Sequence, residues 1–197
     1  MLETILTTDQ NLFLFLNGLR ASWLDPVMYW FSNTLVWIPL FLFIAALMIK
    51  QWKRQAVFVI IFMILATICT DQTCNVMKRN IKRLRPSHDI EMMDKVQLVE
   101  KPNGQLYRGG KFSFPSGHAA NSCMLVFIFA FFVRTKKKWP LSLMIVWSLM
   151  MAYTRIYLGV HYPLDILCGF MVGSFWGMAF ILLWKYNPKF RGEWAKR

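Results

Sequence analysis

Residues 164–184, LDILCGFMVGSFWGMAFILLW, form an apolar stretch long enough to cross a bilayer as one helix. A hydrocarbon core of about 30 Å needs roughly 20 apolar residues at the rise of an α-helix. Three further stretches share this character, and a fifth is more polar: residues 56–77, 118–133, 139–157 and 27–48. A hydrophobic content of 56% and a mean hydropathy of +0.38 are too apolar for an ordinary soluble domain. The sequence predicts a single membrane domain, residues 1–197, built as an all-α bundle of five transmembrane spans.

The span predicted at residues 27–48, the first along the chain, is the least regular. Polar residues 32–34 dilute its first half, and Pro39 is expected to kink it. Before it, residues 1–25 lack the basic start and small-residue cleavage site of a signal peptide, and Asn11 and Asn17 interrupt their apolar pattern. We expect an N-terminal helix in the membrane interface, which would make a sixth span if it inserts.

The net charge of +13 lies in short clusters between apolar stretches, without the basic stripe and stacking aromatics of a nucleic-acid surface. Three clusters fall on one side of a five-span bundle: Lys50, Lys53 and Arg54; Arg134 and Lys136 to Lys138; and the tail Lys185, Lys189, Arg191, Lys196 and Arg197. The positive-inside rule makes that side cytoplasmic. The sequence therefore predicts a multi-pass protein of the cytoplasmic membrane, with no nucleic-acid partner.

The polar connection 79–115 is then extracytoplasmic, and it is too long for a simple turn between helices. Asn103-Gly104 is a turn signal that favours a small β-hairpin here. The connection is itself basic, against the positive-inside rule, so its cations need another purpose. Binding phosphate is such a purpose.

The sequence predicts no cofactor. The four cysteines lie in or beside apolar segments without a CxxC pair, so we expect membrane-buried thiols and neither a disulfide nor a zinc site: Cys69, Cys74, Cys123 and Cys168. No acidic cluster indicates a metal ion, which predicts activity in the presence of a chelator.

Two short motifs flank this connection. Lys78 and Arg85-Pro86 follow the second span, where an ammonium and a guanidinium can bind phosphate oxygens or simply snorkel from a helix end. Pro115-Ser116-Gly117-His118 opens the third span, where a hydroxyl and free N–H groups meet the positive end of a helix dipole. Ser116 is equally suited to be a plain N-cap, and His118 to lie at the interface.

A third motif, TRIYLGVHYPLD, joins the fourth and fifth spans and contains Arg155, His161 and Asp165. A carboxylate one helical turn from a histidine can orient the imidazole and make it a competent nucleophile, or it can merely cap the helix. Glycines recur every four residues after Asp165, at 169, 173 and 177, which indicates a closely packed helix face. His161 is thus expected to point into the bundle.

Taken together and in this order, the three motifs resemble the signature of the type-2 phosphatidic acid phosphatase (PAP2) superfamily. The resemblance implies that His161 attacks phosphorus to form a phosphohistidine, that Asp165 holds it, and that His118 protonates the leaving oxygen and later activates water. It also implies that five residues bind the phosphate oxygens: Lys78, Arg85, Ser116, Gly117 and Arg155. Thr154 replaces the serine that often precedes the arginine, and a hydroxyl remains.

Two further ionisable residues lie outside the signature. Asp71 lies inside an apolar span, seven residues before Lys78, and is expected to pair with that lysine. His88 has no partner at ligand spacing and is expected to be a solvated loop residue.

The competing functions are a vanadium haloperoxidase, which five apolar spans oppose, and a non-catalytic lipid-phosphate transporter or receptor, which would not need two histidines. The expected partner is a lipid phosphate in the bilayer. Resemblance favours undecaprenyl pyrophosphate or lipid A phosphate, with phosphatidylglycerophosphate or phosphatidic acid as alternatives.

Overall fold

The computed structural model describes residues 1–187, and within them the chain forms seven α-helices. They are α1 (Leu2–Gly18), α2 (Asp25–Phe31), α3 (Ile38–Trp52), α4 (Ala56–Ile81), α5 (Gly117–Phe132), α6 (Trp139–Tyr157) and α7 (Pro163–Tyr186). The prediction of an all-α protein is confirmed. The tail cations Lys189, Arg191, Lys196 and Arg197 lie outside the described residues.

Helices α4 to α7 coincide with the predicted apolar spans to within a few residues, but the predicted span 27–48 is broken. It divides into α2, a 3-10 turn at Thr34–Trp37, and α3. The Asn33 side chain accepts a hydrogen bond of 3.0 Å from the Leu35 N–H and so caps the new turn. Pro39 lies in the first turn of α3, where no N–H is needed, so the expected kink at Pro39 is wrong.

The helices carry the apolar outer surface that a bilayer requires. Large side chains such as Leu42, Val57 and Met171 are more than half exposed. Residues Thr34–Ile81 and Pro163–Tyr186 are long and apolar enough to cross a membrane, although Lys53, with a φ of 48°, breaks the first stretch between α3 and α4. The number of spans stays a prediction.

The glycine face of α7 packs directly against α5. A β-carbon on Gly169 would lie 2.5 Å from the Ser116 carbonyl oxygen, and one on Gly173 would lie 2.2 Å from the Ala120 carbonyl oxygen. Only glycine permits this backbone approach. The predicted close packing along this face is therefore confirmed.

At the other end of the bundle, aromatic rings from three helices interlock. The Trp184 ring centroid lies 5.5 Å from that of Trp52 and 5.0 Å from that of Phe132, edge to face. Beside them, the Gln51 amide exchanges hydrogen bonds of 3.1 and 2.8 Å with the Arg134 backbone. The first two basic clusters of the sequence therefore lie side by side.

The connection between α4 and α5 covers the opposite end of the bundle together with α1. Within it, the predicted β-hairpin is reduced to the antiparallel bridge of Glu100 with Leu106. A second isolated bridge joins Leu84 and Phe112, and residues 1–187 contain no longer strand. Helix α1 buries Phe13 against this end, while Asn17 donates to the carbonyls of Ile156 and Tyr157 at 3.1 Å. The N-terminal helix is thus bound to the end that carries the three motifs.

Candidate active site

A cavity of about 570 Å³ lies where the C-terminal ends of α4 and α6 meet the N-terminal ends of α5 and α7. Its polar end is lined by five of the predicted site residues: Lys78, Arg85, Gly117, His118 and His161. Its other end is mainly apolar and is formed by side chains of α3, α4, α5 and α6 and of the 3-10 turn before α3. Alternating helix directions thus bring together motifs that are up to 83 positions apart in the chain.

His161 lies in the turn before α7 and is 1% exposed. Its Nδ1 atom is 3.4 Å from Asp165 Oδ2 and has no hydrogen-bond partner in the described part of the chain. The same Asp165 oxygen accepts the Tyr162 N–H at 2.8 Å, so Asp165 also caps α7. Burial first, and then the nearby cations Arg85 and Arg155, hold the pKa of His161 well below its usual range. The imidazole is therefore neutral at pH 7.

Asp165 is fixed by a charged chain that the sequence did not indicate. Arg83 Nη1 contacts Asp165 Oδ1 at 2.9 Å, and its Nη2 contacts Asp9 Oδ2 at 2.6 Å. The second Asp9 oxygen accepts the Leu164 N–H at 2.8 Å. We call Asp9, Arg83 and Asp165 the carboxylate chain. It joins α1 to the first turn of α7, directly behind His161.

Neither Arg83 nor Asp9 belongs to one of the three sequence motifs. Both partners of Arg83 are buried, Asp9 to 4% exposure and Asp165 to 0%. A buried acidic residue in an amphipathic helix usually has a cationic partner. That is the one sequence signal that could have singled out Asp9, and it does not name the partner.

Two guanidinium groups, those of Arg85 and Arg155, lie near each other at the site. Arg155 is 2% exposed and is held by the Ser32 hydroxyl and, at 3.2 Å, by the Tyr107 hydroxyl. Its Nε finds no acceptor among residues 1–187. Burial and the proximity of Arg155 lower the pKa of Arg85 to about 10. Such a pair is suited to bind an oxyanion, which would satisfy both cations.

The PSGH motif opens α5 as expected, with its residues divided between two roles. Ser116 is fully buried and caps the helix, its Oγ accepting the Ala119 N–H at 3.5 Å. Gly117 and His118 face the cavity. Ser116 does not line the cavity in this structure, and its position agrees with the alternative prediction that it is a plain N-cap.

Two expectations outside the signature need correction. Asp71 makes no ion pair with Lys78, because its Oδ1 accepts the Asn121 amide at 3.0 Å across the helix interface instead. Residues 71 and 78 are separated by roughly 10 Å of helix rise, whereas Asn121 lies alongside. His88 is not freely solvated, since it is half-buried with Nδ1 3.1 Å from the Ser87 hydroxyl. Burial and the nearby Arg85 lower the pKa of His88.

The four cysteines are free thiols in the structure. Among residues 1–187, no three His, Cys, Asp or Glu side chains are close enough to hold a metal ion.

Comparison with known proteins places these features in a family. The chain is 36% identical to the lipid A 4'-phosphatase of Bacteroides thetaiotaomicron, over 93% of this chain and 80% of that protein. It is 28% identical to the undecaprenyl-diphosphatase of Sulfolobus acidocaldarius, over 83% and 72% of the two chains.

Its fold matches the crystal structure of a transmembrane PAP2-type phosphatidylglycerolphosphate phosphatase from Bacillus subtilis, with a TM-score of 0.68 and 24% identity. That match covers 90% of this chain and 84% of the other. The PAP2 superfamily model matches residues 55–189, which include all three motifs. The chain therefore belongs to the PAP2 superfamily.

Proposed function

We propose that this protein is a membrane lipid phosphatase that removes a phosphate group from lipid A, with the phosphate bound at the polar end of the cavity. One observation carries the proposal. Lys78, Arg85 and two histidines close one end of a cavity whose opposite end is lined mainly by apolar side chains. A phosphate attached to a lipid matches both halves of this lining, whereas a soluble phosphate ester matches only one.

The lipid substrate is proposed from the relatives. The lipid A 4'-phosphatase matches at higher identity and over more of the chain than the undecaprenyl-diphosphatase. Undecaprenyl diphosphate is the second candidate, because that relative also covers most of the chain. Phosphatidylglycerophosphate and phosphatidic acid complete the set of substrates to be tested.

The proposed first step transfers phosphate to His161. Because Nδ1 faces Asp165, Nε2 is the atom free to attack, and a neutral imidazole carries the required lone pair. The Nε2–P bond forms as the P–O bond to the lipid breaks, and His118 gives its proton to the leaving oxygen. Asp165 stabilises the positive charge that develops on the His161 ring.

Water completes the cycle in the second step. His118, now neutral, takes a proton from a water molecule that attacks phosphorus, and the N–P bond breaks to release inorganic phosphate. Lys78, Arg85 and Arg155 stabilise the charge on the equatorial oxygens, with the Gly117 N–H and, as the family resemblance implies, the Ser116 hydroxyl. No step needs a metal ion.

The first experiment measures phosphate release by detergent-purified protein with excess EDTA, on lipid A, undecaprenyl diphosphate, phosphatidylglycerophosphate and phosphatidic acid. Wild type is expected to turn over lipid A fastest, and His161→Ala to be inactive on every lipid. His88→Gln is the matched control, because it alters a histidine outside the cavity lining. Equal activity of His161→Ala and wild type would refute the nucleophile, and loss of activity in EDTA would refute metal independence.

We also propose that the site faces the extracytoplasmic side of the cytoplasmic membrane, as the basic clusters at the opposite end favour. A membrane-impermeant maleimide added to intact cells is expected to label Asn103→Cys but not Lys137→Cys. Both variants are made in a background with the four native cysteines replaced by serine or alanine. The reverse labelling pattern would invert the proposed orientation.

A further inference from the structure

One polar pair in the cavity has no part in the proposed phosphate chemistry. Asp71 on α4 and Asn121 on α5 both line the cavity, next to its cationic end. Asp71 Oδ1 and Lys78 Nζ each lie 3.7 Å from the point that a β-carbon on Gly117 would occupy. The carboxylate therefore borders the place where the phosphate is proposed to bind.

The hydrogen bond within this pair leaves two oxygens without a donor, Asp71 Oδ2 and Asn121 Oδ1, and one N–H of the Asn121 amide without an acceptor among the described residues. A carboxylate can only accept, so Asn121 must turn its Nδ2 toward Asp71 Oδ1, at 3.0 Å. Asn121 Oδ1 is buried and receives no hydrogen bond from residues 1–187. Asp71 is exposed to the cavity, and its Oδ2 also receives no hydrogen bond from the described residues. An ionisable group inside an apolar helix is costly, which makes a functional partner the default expectation.

From these contacts we propose that the Asp71–Asn121 pair is a specificity site. It accepts a hydrogen bond from an N–H or O–H group on the part of the substrate that is bonded to the phosphate. An N-acylated amino sugar, such as the phosphorylated glucosamine of lipid A, carries an amide N–H donor on the ring that bears its phosphate ester. The inference rests on the proposed function and selects one substrate class within it.

The same carboxylate disfavours a diphosphate. When the terminal phosphate of a prenyl diphosphate occupies the cationic end, its second phosphate takes the place of the sugar and approaches Asp71. The second phosphate and the Asp71 carboxylate repel each other in a partly desolvated cavity. The phosphate also has no hydrogen to donate to Asp71 or to the Asn121 oxygen. Asp71 is therefore expected to favour a sugar phosphate over a prenyl diphosphate.

The test compares kcat/KM on three substrates: lipid A, undecaprenyl diphosphate and dodecyl phosphate, a monoester without a donor beside its phosphate. In Asp71→Ala, the ratio of lipid A to dodecyl phosphate is expected to fall by roughly tenfold to a hundredfold, the value of a hydrogen bond to a charged group. Asp71→Asn keeps an acceptor oxygen and is expected to recover part of that ratio. In both variants, kcat/KM on undecaprenyl diphosphate is expected to rise relative to kcat/KM on dodecyl phosphate.

The control is Thr67→Val, one helical turn deeper in the same cavity, where the hydroxyl already donates to the Met63 carbonyl at 2.9 Å. It is expected to leave the substrate ratios within about twofold of wild type. An equal loss on all three substrates in both Asp71 variants would mean that Asp71 only balances charge, which overturns the inference while the phosphatase function stands. If wild-type protein hydrolysed none of the substrates, the proposed function and this inference would both fall.

Discussion

Replacing Asp9 by alanine removes the outer member of the carboxylate chain while leaving every cavity-lining residue intact. The change deletes the acceptor of a 2.6 Å bond from Arg83 and of a 2.8 Å bond from the Leu164 N–H. A hydrogen bond to a charged group contributes about 1.5–3 kcal/mol. Arg83 keeps Asp165 and is 18% exposed, so water compensates part of the loss. We expect the free energy of unfolding to fall by roughly 2–3 kcal/mol.

The kinetic effect follows from the position of Asp165. Without Asp9, the Arg83 guanidinium keeps Asp165 and the face of the Tyr162 ring, 4.0 Å from the ring centroid. The Asp165 carboxylate keeps the Tyr162 N–H but is held less firmly relative to His161, 3.4 Å away. A displacement of 1 Å in a reacting group costs about a hundredfold in rate. We therefore expect kcat to fall by roughly tenfold to a hundredfold, while KM changes by less than about threefold, because the phosphate-binding cations are untouched.

The assay is steady-state phosphate release in detergent, run beside thermal unfolding of each variant. Glu3→Ala, on an exposed position of the same helix, is the control and is expected to match wild type in both measurements. Asp9→Asn keeps the shape and an acceptor oxygen and should lie between wild type and Asp9→Ala. A folded Asp9→Ala protein with wild-type kcat would refute the positioning role. A raised KM at constant kcat would assign Asp9 to substrate binding instead.

Three further outcomes are expected from the same preparation. Gly109→Ala should lower kcat/KM about tenfold, because its β-carbon would lie 2.2 Å from an Arg85 nitrogen at a φ of +65°, whereas Gly110→Ala, with nothing within 4 Å, should not. Gly173→Val should lower the Tm by several degrees, since its β-carbon would overlap a carbonyl oxygen of α5 at 2.2 Å. The acid limb of kcat/KM should lie below pH 6.5, because His161 must be neutral and its pKa is lowered. Arg85→Gln removes a cation, raises that pKa and should move the limb to higher pH, and an unmoved limb would assign it to another group.

Much of the fold was readable from local sequence because the bilayer imposes a local rule. A helix that crosses hydrocarbon must be apolar over roughly 20 consecutive residues, so α4 and α7 appear directly in the sequence. The break at residues 32–37 was signalled by polar residues, but the sequence could not show that Asn33 would cap a separate turn rather than interrupt one helix. Whether the chain forms two helices joined by a turn or one interrupted helix depends on packing against other helices.

The site divides in the same way. Alternating spans place the ends of consecutive helices on alternate faces, so the positions of Lys78, His118 and His161 at helix ends predicted that they would meet, and they do line one cavity. Their catalytic roles stay predictions until the variants are measured. The glycine repeat of α7 likewise predicted a close helix contact, because glycines spaced four residues apart leave one helix face without side chains and this spacing is visible in the sequence.

What the sequence by itself determined is therefore the helical class, the apolar segments and the face on which the motifs gather, since each follows from composition and spacing along one helix. What only the tertiary structure decided are the cross-chain partners. Arg83 lies between Asp9 and Asp165, 74 and 82 positions away, and Asp71 bonds to Asn121, 50 positions away. No periodicity in the sequence encodes such pairs, because they depend on how the helices rotate and pack against one another. A buried charge needs a partner, and only the packed structure determines which side chain is close enough to be that partner.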